Sequence, residues 1–171
     1  SCGGTACPSW VTGKFGSALE FDGLGDYVSV PNSGSVNISG AALTVEAWVK
    51  VIGNTSALDT ARIVAKGDSA YSLQYRQSTR LFQFAVSTAD QGEQAVAAST
   101  VVQYNQWYHV VGVYDGTTMA IYIDGTLSNS ISATGNVGTS SYDLGIGIRT
   151  VDKLKNFNGT IDEIRIYSRS L

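Results

Sequence analysis

The chain has 171 residues, of which 43% are hydrophobic and only 15% charged, with a net charge of −3. That balance excludes a disordered segment. The singly scattered Lys and Arg exclude nucleic acid and anionic membrane as partners, since both require a basic stripe, and no apolar run is long enough to cross a bilayer.

The length suits one domain, residues 1–171. No signal peptide precedes the first strand pattern, so the chain reads as a mature protein or an excised module. At the start, Cys2 and Cys7 flank the flexible Gly3-Gly4-Thr5-Ala6. They are expected to close a small disulfide loop, the alternative being two unpaired thiols. Two Cys and one distant His cannot supply the four ligands of a zinc site.

The period is that of strands nearly throughout. Thr44 to Lys50 alternates, with Val45, Ala47 and Val49 on one face. Tyr71 to Arg76 places Tyr71, Leu73 and Tyr75 inward and Ser72, Gln74 and Arg76 outward. Leu81 to Val86 follows after a short polar stretch, Gln77 to Arg80, which predicts a hairpin. Trp107 to Tyr114 carries Val110, Val111 and Val113 and predicts a strand buried on both faces. Asp115-Gly116 and Asp124-Gly125 turn the chain on either side of Met119 to Ile123. Leu144 to Ile148 and Ile161 to Tyr167 complete the series. No stretch of a dozen residues has helical spacing. The fold class expected is all-β, a two-sheet antiparallel sandwich or jelly roll.

Four blocks carry a resemblance. Gly13-Lys14-Phe15-Gly16-Ser17-Ala18-Leu19-Glu20-Phe21-Asp22-Gly23 with Asp26-Tyr27-Val28 comes first, and Leu43 to Lys50 second. The third joins Trp107-Tyr108-His109-Val110, Tyr114-Asp115-Gly116 and Tyr122-Ile123-Asp124-Gly125. The fourth is Phe157 to Tyr167. In this order they resemble laminin-G-like jelly-roll domains of the concanavalin A-like type. The resemblance implies a lectin-like sandwich of the kind appended to bacterial enzymes that degrade polysaccharides. It therefore implies a secreted, bacterial, carbohydrate-binding module. The partners would be a polysaccharide or oligosaccharide and a catalytic domain of the same parent protein. One departure stands out: the family's first strand, which lies beside the closing one, has no counterpart before Trp10, so an unprotected sheet edge is expected.

Catalysis is not expected. Glucanases of this fold use a Glu-x-Asp-x-x-Glu strand to supply nucleophile and acid. Glu20-Phe21-Asp22 begins the pattern, but Gly25 occupies the second Glu position. Asp162 and Glu163 are adjacent and should point to opposite faces. His109 is the sole histidine, with no nucleophile elbow to serve, and reads as a strand residue.

A structural calcium ion is expected. Asp22 and Asp26 bracket a Gly-Leu-Gly turn that can aim two carboxylates at one point and free the carbonyl of Gly23. The resemblance adds Asp162 from the closing strand, and such hard oxygen ligands suit calcium. The plain alternative is ordinary capping of a turn.

Sugar binding needs aromatic platforms and polar groups that read hydroxyls. Trp10, Trp48, Trp107, Tyr27, Phe157 and Tyr167 lie in the framework blocks and are expected to pack. The candidates are Gln74, Arg76 and Gln83 on the outward side of the hairpin, with Tyr142 and Arg149 flanking the Gly-rich strand. For each, a solvated surface residue is the alternative. Asn37, Asn54 and Asn158 open Asn-x-Ser/Thr triplets, which carry no glycan in a bacterial protein. The leading function is a non-catalytic carbohydrate-binding module. An adhesion or protein-interaction domain and a structural spacer are the alternatives. The acidic balance disfavours sulfated or uronate polymers unless a cation or Arg cluster bridges them.

Overall fold

The computed structural model describes residues 7–54, 58–67 and 70–171. Cys2, half of the expected disulfide, lies outside the described residues. In chain order the strands are β1 (Ser9–Thr12), β2 (Ser17–Asp22), β3 (Val28–Val30), β4 (Leu43–Val51), β5 (Thr60–Lys66), β6 (Tyr71–Arg76) and β7 (Leu81–Thr88). They continue as β8 (Gly92–Ala97), β9 (Trp107–Tyr114), β10 (Thr118–Ile123), β11 (Thr126–Ser132), β12 (Leu144–Ile146) and β13 (Asn158–Tyr167). Two antiparallel sheets result, ordered β1-β2-β13-β4-β9-β10-β11 and β3-β12-β5-β6-β7-β8. This is the all-β sandwich that the periodicity predicts.

The core lies between the sheets because alternate residues of each strand turn inward. From β4 come Leu43, Val45, Ala47, Val49 and Val51, all fully buried. Leu73 and Tyr75 of β6, Phe82 and Phe84 of β7, and Val110 and Tyr114 of β9 face them. Gly112 shows how close the packing is, since a Cβ there would lie 2.2 Å from the Phe84 ring.

Three sequence expectations are revised. Trp107 to Tyr114 is not buried on both faces. Tyr108, Val110, Gly112 and Tyr114 are buried while Trp107, His109, Val111 and Val113 are only half-buried, because β9 is central in its sheet but its outer side meets solvent. β12 stops at Ile146, where Gly147 takes φ +78 and packs its Cα against Phe21. Strands β1, β2, β3, β5, β8 and β11, not singled out from the periodicity, complete the sheets.

β13 is bordered by β2 only from Asn158 to Ile161, while β4 follows it to Tyr167 across a bulge between Asp162 and Arg165. Among the described residues no strand borders the rest of β13 on the β2 side.

Candidate carbohydrate-binding face

The outer side of the six-stranded sheet carries a cross-strand row. Arg62 of β5 stands opposite Gln74 of β6, Gln74 opposite Gln83 of β7, and Gln83 opposite Ala97 of β8. A bulge between Arg62 and Val64 creates this alignment. It lets Ile63 and Val64 both enter the core and leaves Arg62 on the far side with Gln74. The Arg62 Nη1 donates to Ser72 Oγ at 2.8 Å and also to Gln74 Oε1. Gln74 Nε2 then donates to Gln83 Oε1 at 3.0 Å. The next row is small: Gly145, Ala65, Ser72, Ala85 and Ala95 follow one another across five strands. Although they face away from the core, Arg62, Gln74 and Gln83 are only 2%, 4% and 9% exposed. The row is therefore a recessed, hydrogen-bonded floor. Exposed Ala95 marks its open side on β8.

Gln74 and Gln83 thus meet as the hairpin requires. The other three sugar candidates are dispersed. Arg76 ends β6 and pairs with Asp59 at 2.7 Å, which holds that carboxyl below its usual range. Tyr142 is half exposed at the opposite end, beside Gly67, which follows β5. Its carbonyl and that of Ser140 accept from Lys66 Nζ, the Ser140 bond at 2.7 Å, and Asn32 Oδ1 accepts at 2.9 Å. Arg149 lies in the loop after β12, paired with Asp152. That loop runs alongside the start of β5, where the Arg62 amide donates to Lys155 O at 2.8 Å. The loop that carries Arg149 thus borders β5, while Tyr142 and Arg76 are at opposite ends of the sheet. Sequence reasoning missed Arg62. Its signal was a lone cation inside the apolar run Ala61-Arg62-Ile63-Val64-Ala65.

The opposite sheet holds the framework aromatics. Trp48 stacks on His109 with centroids 5.1 Å apart, meets the edge of Phe15 at 5.7 Å and carries Lys14 Nζ 4.7 Å from its ring. Lys50 covers Trp107 at 5.3 Å. His109 Nε2 lies 3.2 Å from Glu46, which also holds Arg165 and Tyr167.

At the acidic turn, Asp22 and Asp26 come together: the Asp22 amide donates to Asp26 Oδ2 at 3.0 Å. Burial, and then the charge of Asp22, push the Asp26 carboxyl up from its ordinary value, offset in part by that amide. Asp162 does not join them. It pairs in register with Trp48, whereas Asn158 is the residue opposite Asp22. Its oxygens accept from the amides of Phe15 at 2.9 Å and Glu163 at 2.8 Å. It therefore pins the β1–β2 turn, where a Cβ on Gly13 would meet it at 2.5 Å. Among the described residues no three Asp, Glu, His or Cys groups converge as a metal site would need. Of the three expected side-chain ligands, Asp22 and Asp26 are brought together, their oxygens accepting turn amides, and Asp162 is elsewhere. β2 ends at Asp22, and Gly25, in the position of a glucanase's second Glu, lies in the turn at φ +133.

A sequence profile described as the concanavalin A-like lectin/glucanases superfamily, of laminin G type, matches residues 21–171. The chain belongs to that family. No curated protein sequence matches this laminin G-like domain, but solved structures share its fold. Domain 4 of AbnA, a GH43 extracellular arabinanase from Geobacillus stearothermophilus solved in complex with arabinotriose, is 22% identical with a TM-score of 0.71. The match covers 99% of this chain and 78% of that one. The binding domain of Paraclostridial Mosquitocidal Protein 1 is 15% identical with a TM-score of 0.77 over 98% of this chain. This domain spans 43% of that structure. The heptameric SAP-like pentraxin of Limulus polyphemus is 15% identical with a TM-score of 0.60, covering 85% of this chain and 76% of that one. These likenesses establish the lectin-like fold.

Proposed function

We propose that this domain is a non-catalytic carbohydrate-binding module that holds a polysaccharide against the Arg62–Gln74–Gln83 row. The observation that carries the reading is that row itself, a guanidinium and two amides in register on a recessed floor of small residues. Sugar hydroxyls both donate and accept. A glutamine amide both donates and accepts; Arg62 and Gln74 are bonded along the row, so Gln83, its last link and the most exposed of the three, is the amide that meets a hydroxyl. Its neighbours, Ala85 and Ala95 among them, are small, and Ala95 is exposed. The family, and the arabinanase domain solved with arabinotriose, support this reading through the shared fold.

In this reading the domain is extracellular and of bacterial origin. It tethers a glycoside hydrolase or polysaccharide lyase of the same parent protein to its substrate, raising local concentration without chemistry of its own. A structural calcium at Asp22 and Asp26 belongs to the same proposal, with the Gly23 carbonyl and water completing the shell. Calcium would offset the burial and the Asp22 charge that now push Asp26 up.

Affinity electrophoresis against a panel of plant and algal polysaccharides tests the function. Retardation in at least one gel, weakened in Gln83→Ala with little change in Tm, is the expected result. Migration unaffected in every gel would refute it. For the ion, a chelator should lower Tm, and identical melts with and without calcium remove it from the proposal.

A further inference from the structure

Glu20 is a half-buried carboxylate with no cation against it. In register it stands between Ser9 of β1 and Thr160 of β13, on the solvent side of the seven-stranded sheet, because its neighbours Leu19 and Phe21 turn to the core. Among the described residues its one hydrogen bond is from the Thr160 hydroxyl at 3.5 Å, the outer limit for such a bond. Lys50, opposite Thr160 on the other side, lies instead over the Trp107 ring at 5.3 Å. Asn158, opposite Asp22, has a side-chain amide that makes no hydrogen bond among the described residues. These groups border a hollow of about 310 Å³, lined by Ser9, Glu20, Asn158, the acidic turn and the apolar Phe21 and Ile52. It forms where four strands end together, β1 and β13 beginning at Ser9 and Asn158 and β2 and β4 stopping at Asp22 and Val51. Its size is at the small end of the ~300–1,000 Å³ range of ligand pockets, enough for one sugar ring and too little for a length of polymer.

We infer that this hollow binds a single sugar unit bearing a free amino group, with the ammonium on Glu20 and the ring hydroxyls on Asn158 and Ser9. The inference rests on the carbohydrate-binding reading and adds a ligand class to it, on the sheet opposite the Arg62 row. A partly buried carboxylate loses hydration without gaining a counter-charge. A protonated amine supplies that charge, and its N–H groups make the stronger, charge-assisted kind of bond to a carboxylate. A hydroxyl in the same place bonds more weakly, and a uronate or sulfate is repelled at short range. Asp22 and Asp26 already accept from amides of their own turn, so Glu20 is the carboxylate left for the ligand. The Asn158 amide both donates and accepts, and the Ser9 hydroxyl does the same, so either can meet a ring hydroxyl. Ile52 and Phe21 supply an apolar wall for the C–H side of the ring.

The test uses the whole chain and isothermal titration with the glucosamine trimer and its N-acetylated form, which has the same rings without the charge. The free-amine trimer should bind more tightly by about tenfold or more. Glu20→Gln keeps the shape of the side chain and should erase that preference at unchanged Tm. Asn158→Asp adds a negative charge to the hollow and should widen it, and decides alone if Glu20→Gln fails to fold. Gln83→Ala, on the other sheet, should leave it as it is. Equal affinity for the two trimers, or a preference that survives in Glu20→Gln or is lost in Gln83→Ala, would overturn the hollow as an amino-sugar site. Retention by other polysaccharides in that case would leave the binding function standing. Ethanolamine bound as tightly as the trimer would make the hollow a plain cation site and also overturn the inference. No saccharide bound in titration or in any gel would overturn both.

Discussion

Arg62 and Gln74 face each other across β5 and β6, and the guanidinium donates to the Gln74 carbonyl oxygen on the side of the sheet turned away from the core. A buried guanidinium needs acceptors for its donors, and Gln74 and Ser72 both accept from its Nη1 here. Gln74→Leu therefore removes an acceptor from a buried cation and a donor from Gln83. It should lower stability by about 1–3 kcal/mol and abolish polysaccharide retention. Gln83→Ala ends the chain of bonds one link later and should weaken binding with little loss of stability. Denaturant unfolding beside affinity electrophoresis separates the two. Equal stability losses in both variants would contradict the order of the row.

Lys66 gives a second prediction. Its side chain is fully buried, with Nζ donating to Asn32, Ser140 and Tyr142, and burial pushes the ammonium below its ordinary value while Asp143 partly restores it. Lys66→Met fills the same volume but leaves three oxygens without their donor. A loss of about 2–5 kcal/mol is expected, read as a Tm lower by about 5–15 °C. A melt within a degree or two of wild type would show that water replaces the ammonium at no cost.

The acidic turn has a pH signature. The Asp26 carboxyl is raised in the folded protein, chiefly by burial, so the folded state binds that proton more tightly than the unfolded chain does. The stability linked to it is present at acid pH and is lost as pH rises through the folded value. Asp26→Asn, which keeps an acceptor for the Asp22 amide, should raise Tm at neutral pH without added calcium. The gain should vanish below the ordinary carboxylate range. A gain independent of pH would point to some cause other than charge.

Packing supplies a further check. Gly112→Ala drives a methyl into the Phe84 ring between the two sheets. Overpacking of that kind costs about 1–3 kcal/mol, whereas Gly125→Ala has open space around the new atom and is limited by its φ of +79 alone. Chemical denaturation of both should rank Gly112→Ala as the more damaging.

Much of this architecture was legible in the sequence because strand alternation is a local signal. Val45, Ala47 and Val49, and Tyr71, Leu73 and Tyr75, face inward as their spacing predicts. The hairpin joining Gln74 to Gln83 was legible for the same reason. What escaped depended on partners distant in the chain. Arg62 faces outward only because of a bulge, and a bulge shifts register without leaving a mark in the period. Gln74 alternates outward but is buried, since burial there comes from neighbouring strands. Asp162 was expected beside Asp22, yet it lies four positions further along β13 than the Asn158 that stands there. Tyr142 and Arg76 are both rim residues, but of opposite rims, and composition cannot distinguish one end of a sheet from the other.

The ammonium beneath the Ser140–Tyr142 loop has a consequence of its own. A loop fastened by a bound ion has a dissociation constant and loosens when the surrounding fluid is dilute or rich in competing chelators. Here the counter-charge is part of the polypeptide, so its local concentration is fixed by the backbone of β5. The loop that displays Tyr142 should therefore keep its shape across media of very different mineral content.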